Sequence, residues 1–451
     1  MAEAPGVKFK NSLISPNVQK EIDAQDPANP KPIPVILVLW ESRNDPELGI
    51  AHSKLGVKAF LDKKKCAFRE SEFYLFASLL PADIKDLATN KEWIYRIWKD
   101  ETTYTHLLES TQSIKAPACW RTFEALGRGI TWAVLDTGIK YAHPHLASCV
   151  DLTLSKNFSN SPDIEDKNGH GTHVAGIIAG GGKPKADGTP YKAATFVAEE
   201  DDPDIIELNG YPSGVAPLTT LINVKVLDDN GSGSSSNAIL ALEYLRKLNQ
   251  SSRSIKVDGA NLSLGYPFDP KWYGCGHSPL CDEVARAVAS GIIVVISCGN
   301  SGYGTAKLDT GQEVPTWIAL SITDPANAED AIAVGSAHKS KPHTFGISYF
   351  SSKGPTGDGR QKPDLVAPGE KVISCSICLD QGYEYQERSG TSMAAPHVSG
   401  AAAAFLSVHP EFRGDPGAVK SIFLKTATDL GRNPAFQGAG LIDLMRAITS
   451  V

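Results

Sequence analysis

The chain has 451 residues, 41% of them hydrophobic and 21% charged, which is ordinary globular composition with enough apolar material for a core that needs no disulfide staples. Its net charge of −7 gives no reason to invoke nucleic acid or an anionic membrane as a partner. No apolar run approaches the roughly 20 residues needed to span a bilayer, and residues 1–30 carry no hydrophobic signal core, so the expected location is the cytoplasm, with export by a route lacking a signal left open.

By length the chain holds two or three domains. Residues 1–30 read as a polar tail. Val35 to Leu39 is a buried strand, Phe73 to Leu79 a second, and Trp93 to Trp98 a third. Pro81 to Leu87 opens a helix, with proline at a tolerated first-turn position. Residues 31–100 therefore form a small α+β domain, and 101–125 a connector. From residue 126 to 451 the pattern changes. Apolar strands over Thr131–Leu135, Thr220–Leu227, Ala260–Leu264, Ile292–Ser297 and Ala331–Val334 alternate with helical stretches such as Ser236–Leu248 and Asp282–Ala289. That alternation predicts an α/β fold: a doubly wound, mainly parallel sheet with helices on both faces and a ligand cleft at the carboxyl ends of the strands. Residues 180–214 interrupt the plan. They are polar, with Glu199-Glu200-Asp201-Asp202-Pro203-Asp204 and Glu207, and read as a solvated acidic loop.

Eight cysteines are present: Cys66, Cys119, Cys149, Cys275, Cys281, Cys298, Cys375 and Cys378. Without a signal peptide, reduced thiols in loops are the expectation. Cys275/Cys281 and Cys375/Cys378 are close enough in sequence to pair, so the disulfide alternative stays open. Their spacing fits no zinc pattern.

Three local patterns carry chemistry. In Val134-Leu135-Asp136-Thr137-Gly138 a strand ends in a carboxylate at the expected cleft. In Asn168-Gly169-His170-Gly171-Thr172-His173 a histidine sits among small residues at a helix start, where its ring can approach a partner closely. His170 and His173 share a helix face, yet no acidic residue lies between them as a zinc-protease helix requires, so His173 reads as a packed neighbour. In Gly390-Thr391-Ser392-Met393-Ala394-Ala395-Pro396 a hydroxyl stands at the N-terminus of an apolar helix, where free N–H groups favour developing negative charge. Each pattern alone also fits a bland role: an ordinary turn for Asp136, a helix cap for Ser392.

Together, and in the order Asp, His, Ser, these segments resemble the three signatures of the subtilisin-like serine proteases, over about residues 120–448. The resemblance implies a serine endopeptidase. Ser392 would be the nucleophile, His170 the general base and acid, and Asp136 the group that orients the imidazole. Val294 to Gly302 is similar to the family's oxyanion segment, which makes Asn300 the side-chain donor beside the Ser392 N–H. Substrate is expected as an extended strand between Ser263-Leu264-Gly265 and Gly231-Ser232-Gly233, with Ser297, Cys298 and Gly299 walling the main specificity pocket. A bulky aromatic usual in the family is replaced by Leu264. Residues 33–100 resemble a ferredoxin-like subtilisin propeptide, which implies an intramolecular inhibitor released by a cut in the connector. No cofactor is required for such catalysis. Structural Ca²⁺ held by loop oxygens, with the acidic insertion as a source, belongs to the same expectation, without an identifiable ligand set. The alternative is a catalytically silent scaffold of the same fold, against which stands the presence of Asp136, His170, Asn300 and Ser392.

Overall fold

The computed structural model describes residues 13–27, 29–40, 46–100, 109–196, 203–208, 210–252, 255–267 and 275–451. The chain divides into two compact units, residues 1–104 and 105–451.

The first unit contains α1 (Pro16–Ala24), β1 (Ile33–Leu39), α2 (Pro46–Lys63), β2 (Phe68–Glu70), β3 (Tyr74–Leu79), α3 (Pro81–Leu87) and β4 (Ile94–Lys99). Its strands form one antiparallel sheet in the order β2-β3-β1-β4. Strand alternation explains its sidedness: Ile33, Val35, Leu37 and Leu39 are buried against helical partners such as Val57, Leu61, Ile84 and Leu87. The opposite face carries Ile36, Phe76, Tyr74 and Trp98, partly or largely exposed.

The second unit opens with α4 (Glu109–Ser113) and α5 (Ala116–Phe123). The stretch 101–125, expected as a connector, is thus helical through much of its described part. Ile114, Ala116, Cys119 and Ala125 belong to the main core. Residues 101–108 lie outside the described residues. The short apolar spacing of this stretch gave too weak a periodic signal to separate helix from link.

The elements that position the cleft follow: β5 (Thr131–Asp136), β6 (Lys156–Asn157), α6 (His170–Ile178), β7 (Tyr191–Thr195), β8 (Asp204–Leu208), β9 (Thr220–Lys225), α7 (Ser235–Gln250), β10 (Gly259–Leu262), α8 (Pro279–Ala289), β11 (Ile293–Ser297), β12 (Tyr303–Lys307), β13 (Glu313–Trp317), β14 (Ile332–His338), α9 (Pro342–Phe345), β15 (Leu365–Glu370), β16 (Val372–Cys375), β17 (Tyr385–Arg388) and α10 (Thr391–Val408). Seven strands form a wholly parallel sheet in the order β15-β14-β11-β10-β5-β9-β6. Both of its faces are buried, which is why its strands read as unbroken apolar runs. Trp132, Val134, Ile293 and Val295 face one core with α6 and α10. Ala133, Leu135, Val294 and Ile296 face the other with α7 and α8. The run Ala401–Ala404 is fully buried, so small side chains let α10 lie close to the sheet.

One expectation changes here. The insertion at 180–214 is not merely a loop: β7 and β8 form an antiparallel hairpin that joins the sheet β16-β17-β7-β8. Tyr191, Ala193 and Leu208 supply its buried side, and charged neighbours had masked the two-residue alternation. Glu199 to Asp202 lie outside the described residues. The cysteines are thiols, as expected; Cys66, Cys149, Cys275, Cys298 and Cys378 lie in loops, whereas Cys119, Cys281 and Cys375 sit within α5, α8 and β16, and all but Cys66 and Cys378 are buried. Burial makes them inert: Cys281 and Cys298 are pushed up to about 12 by desolvation.

Candidate active site

Parallel strands deliver their ends to one edge. Asp136 closes β5, Ser263 follows β10, and Cys298-Gly299-Asn300 follow β11. The segments that follow these strands, with the starts of α6 and α10, surround a cavity of about 600 Å³. Thr137, His170, Asn300, Thr391 and Ser392 all line it.

His170 is the first residue of α6, and its Nδ1 lies 2.7 Å from Asp136 Oδ1. Asp136 is fully buried, and its Oδ1 also accepts the Thr137 N–H at 2.8 Å. This contact places the imidazole proton on Nδ1 and leaves Nε2 as a base. Burial pulls the His170 pKa down, but the Asp136 charge and hydrogen bond outweigh it, so the net shift is upward; the nearby Arg388 opposes them. Close approach is possible because residue 171 is glycine. A Cβ there would lie 2.2 Å from the Gly138 carbonyl and 3.0 Å from Asp136 Cβ.

The loop before α6 is organised by Asp166, which sequence reasoning passed over. This carboxylate is 2% exposed. Its Oδ1 accepts from Thr137 Oγ1, the Asn168 N–H and the Gly169 N–H at 2.9, 2.9 and 2.8 Å. Its Oδ2 accepts from the Thr172 N–H and hydroxyl at 2.9 and 2.6 Å. Thr137 Oγ1 in turn accepts the Gly171 N–H at 3.0 Å. One buried anion thereby ties the turn after β5 to the first turn of α6. An Asp four residues before the histidine was the available signal.

Ser392 lies in the first turn of α10, where backbone N–H groups lack intrahelical acceptors. Its hydroxyl donates to the Ser263 carbonyl at 3.2 Å, while its own carbonyl accepts from Ser263 Oγ at 2.9 Å. Ser263, expected on the substrate edge, therefore also moors the helix start. Asn261 extends the mooring by donating to Ser263 Oγ and accepting from Ser399 Oγ, both at 2.9 Å. Asn300 Oδ1 accepts from the Thr391 N–H at 2.9 Å and from Thr391 Oγ1 at 3.1 Å. A backbone N–H can only donate, so the amide orientation is fixed and Nδ2 is turned away from Thr391. A point where a Cβ on Gly390 would stand is 3.5 Å from Asn300 Nδ2 and 3.7 Å from Ser392 N, so both candidate donors border one space.

The structure brings the other sequence-predicted residues to the cavity with one exception. Gly231, Ser232, Gly233, Ser263, Leu264, Gly265, Ser297 and Gly299 line it. Cys298 does not. Its side chain is fully buried and its thiol faces Ser351 Oγ and the Ser352 carbonyl, because strand alternation turns residue 298 away from its neighbours. Thr323 replaces it at the wall, where a Cβ on Gly265 or Gly299 would meet its side chain at 2.7 and 2.9 Å. His173 is fully buried; its Nε2 contacts the Val372 and Gln386 carbonyls at 3.1 and 3.0 Å. Burial holds its pKa well down, so it serves as a neutral strut between α6 and the β16-β17 pair. Among the described residues no three His, Cys, Asp or Glu side chains gather as a metal site, and Asp204 and Glu207 of the insertion belong to no such cluster. None of their helices is long and apolar enough to cross a membrane.

A carboxylate-bound imidazole and a hydroxyl at a helix N-terminus open into one cavity that Asn300 also lines, an arrangement suited to nucleophilic catalysis by a serine. Comparison with known proteins narrows the class. The model of the Subtilase family matches residues 127–440. An intracellular serine protease of Paenibacillus polymyxa is 31% identical, over 78% of this chain and 89% of that protein. Serine protease AprX of Bacillus subtilis (strain 168) is 29% identical, over 82% of this chain and 78% of its own. Subtilisin E of the same strain is 32% identical, over 74% and 69%. The chain belongs to the subtilase family. It is a serine endopeptidase that acts on polypeptide, and this chemistry needs no cofactor.

Proposed function

We propose that Ser392, His170, Asp136 and Asn300 carry the reaction. As Ser392 Oγ attacks the scissile carbonyl carbon, its proton passes to His170 Nε2. Asp136 holds the ring in the required tautomer and stabilises its charged form. The carbonyl oxygen, now an anion, takes hydrogen bonds from Asn300 Nδ2 and the Ser392 N–H. His170 then gives its proton to the leaving amine, an acyl group stays on Ser392, and water activated by His170 releases it. The 2.7 Å contact between His170 and Asp136 carries this reading. The hydroxyl of Ser392 points to Ser263 here, and the proposed attack requires it to turn to the imidazole; such contacts commonly tighten only when substrate binds. A fluorophosphonate probe tests the assignment. Labelling and peptide hydrolysis by the wild type, both lost in Ser392→Ala, are expected, and labelling that persists in the variant refutes it.

Substrate lies as an extended strand between Ser263-Leu264-Gly265 and Gly231-Ser232-Gly233, gripped through its backbone. No Asp, Glu, Lys or Arg side chain is among the described residues lining the cavity, which supports a preference for uncharged substrate side chains. Thr323 narrows the space between Gly265 and Gly299, which favours small or medium ones.

The first unit acts as a ferredoxin-like propeptide and intramolecular inhibitor. An antiparallel β2-β3-β1-β4 sheet whose one face shares a core with α1, α2 and α3, with apolar Ile36, Tyr74, Phe76 and Trp98 on the other, supports that reading. The releasing cut falls within 101–108, because Ser110, Thr111, Ala116 and Cys119 are buried and shielded from proteolysis. Intact masses of wild type beside Ser392→Ala test it: two fragments from wild type are expected, and identical full-length masses refute it. A cytoplasmic site of action rests on the resemblance to a relative named as intracellular.

A further inference from the structure

We infer that Lys353 is a positioning residue for the oxyanion donor: a built-in cation that braces the segment carrying Asn300. The inference rests on Asn300 acting as proposed above.

Lys353 is 4% exposed. Its Nζ donates to the carbonyls of Gly302 and Tyr349 at 2.9 Å each, and of Ser351 at 2.8 Å. An ammonium has three protons, so every one is used. Phe436 closes the site, its ring centroid 5.2 Å from Nζ. Among the described residues no carboxylate pairs with this lysine within 4.0 Å, the limit for an ion pair. Burial pulls its pKa below the ordinary lysine value. A buried charge without a counter-ion is costly, and the three carbonyl dipoles, with the face of the Phe436 ring, compensate it.

Those carbonyls come from two segments. Gly302 follows Asn300 by two residues, whereas Tyr349 and Ser351 belong to the loop that ends at Lys353. The same two segments are joined by the Gly302 N–H to the Phe350 carbonyl, the Ser352 N–H to the Gly299 carbonyl, and the Ser301 N–H to Ser352 Oγ, at 2.9, 2.9 and 3.1 Å. Asn300 is thus held on both sides along the main chain, and Thr391 holds its side-chain carbonyl. Of the brace members, only Lys353 supplies charge. Without it, three carbonyl oxygens would face one another across the space Nζ fills, repelling each other and loosening the Gly302 side. That space, ringed by three carbonyl oxygens 2.8–2.9 Å from Nζ, offers an ammonium ion the same acceptors.

Full-length wild type, Lys353→Met, Lys353→Ala, Asn300→Ala and the double variant Asn300→Ala/Lys353→Met test this with a chromogenic peptide, with rates expressed per titrated Ser392. Wild type that neither cleaves peptide nor takes a fluorophosphonate would sink the functional reading before any variant is compared. Given an active wild type, kcat of Lys353→Met is expected to fall about tenfold or more with KM within about twofold, a fraction of what loss of the whole donor costs. The drop should vanish when Asn300 is already alanine. Ammonium or methylammonium chloride should restore part of the Lys353→Ala rate, and choline chloride at equal ionic strength should not. An unchanged kcat per site, the same drop in both backgrounds, or equal rescue by choline overturns the inference. Should the lysine variants not fold, Ser352→Ala removes only the acceptor of the Ser301 N–H; a kcat loss that vanishes in Asn300→Ala supports the brace, and one that does not vanish refutes it.

Discussion

Replacing Asp166 by asparagine keeps the shape of the side chain and removes one acceptor oxygen. The carboxylate accepts from three donors at Oδ1 and two at Oδ2. Whichever way the amide turns, its NH₂ group meets donors. The gentler orientation points it at Thr172, whose hydroxyl can rotate to accept, but the Thr172 N–H is then stranded in a buried site. A buried donor left unsatisfied costs about 1–3 kcal/mol, and the remaining bonds weaken because they lose a charged acceptor. Loss of the helix start adds to this, so the sum is about 2–4 kcal/mol. Thermal unfolding of so large a unit should fall by roughly 3–6 °C. His170 begins the helix that Asp166 ties down, and misplacing a catalytic group by about 1 Å costs on the order of 10²-fold in rate, so kcat should drop about 10- to 100-fold. The Asp166 charge also contributes to raising the His170 pKa, and its removal should move the acidic limb of the kcat/KM profile to lower pH. A melting point within 1–2 °C of wild type together with an unmoved pH limb would refute the reasoning.

The remaining predictions concern the same cleft. The base form of His170 is needed, and its pKa is raised, so kcat/KM of the wild type should rise with pH through a midpoint above about 6.5. Asp136→Asn should shift that midpoint downward and lower kcat by about 10⁴, a magnitude known for the same triad member in another serine protease; an unshifted limb in a pH-rate titration would count against Asp136 as the charge that raises it. Asn300→Ala should lower kcat about 10²–10³-fold with little change in KM, a range taken from subtilisin itself rather than worked from this structure. Equal losses in kcat/KM through KM alone would remove Asn300 from the oxyanion role. Gly171→Ala puts a methyl 2.2 Å from the Gly138 carbonyl, so the helix start must move away from Asp136. Steady-state assay of the folded variant should find less than about 1% of wild-type activity, in line with the steep distance dependence of catalysis, and a normal rate would show that the 170–172 turn tolerates the shift.

Much of the catalytic unit was legible in the residues. Runs such as Ile293–Ser297 announce strands buried on both faces, and a parallel sheet follows because only helical crossovers can cover both. Asp136, His170 and Ser392 stand at an element end or start, so each could be marked as cleft-facing. The β7–β8 hairpin was not legible, since its strands are short and interleaved with charges. Nor were α4 and α5, whose few apolar residues gain meaning only from the core they enter.

Asp166 and Lys353 illustrate the division. Sequence alone specified which groups can attack, take a proton or stabilise an anion, because that chemistry belongs to residue types at element boundaries. It could not say that one carboxylate gathers five donors from residues 137 to 172, or that one ammonium fills a cage of carbonyls from residues 302, 349 and 351. It could not say that Cys298 turns inward while Thr323 takes the wall. Those facts depend on where distant segments meet, and the direction of a buried polar group is set by partners that only the packed chain supplies.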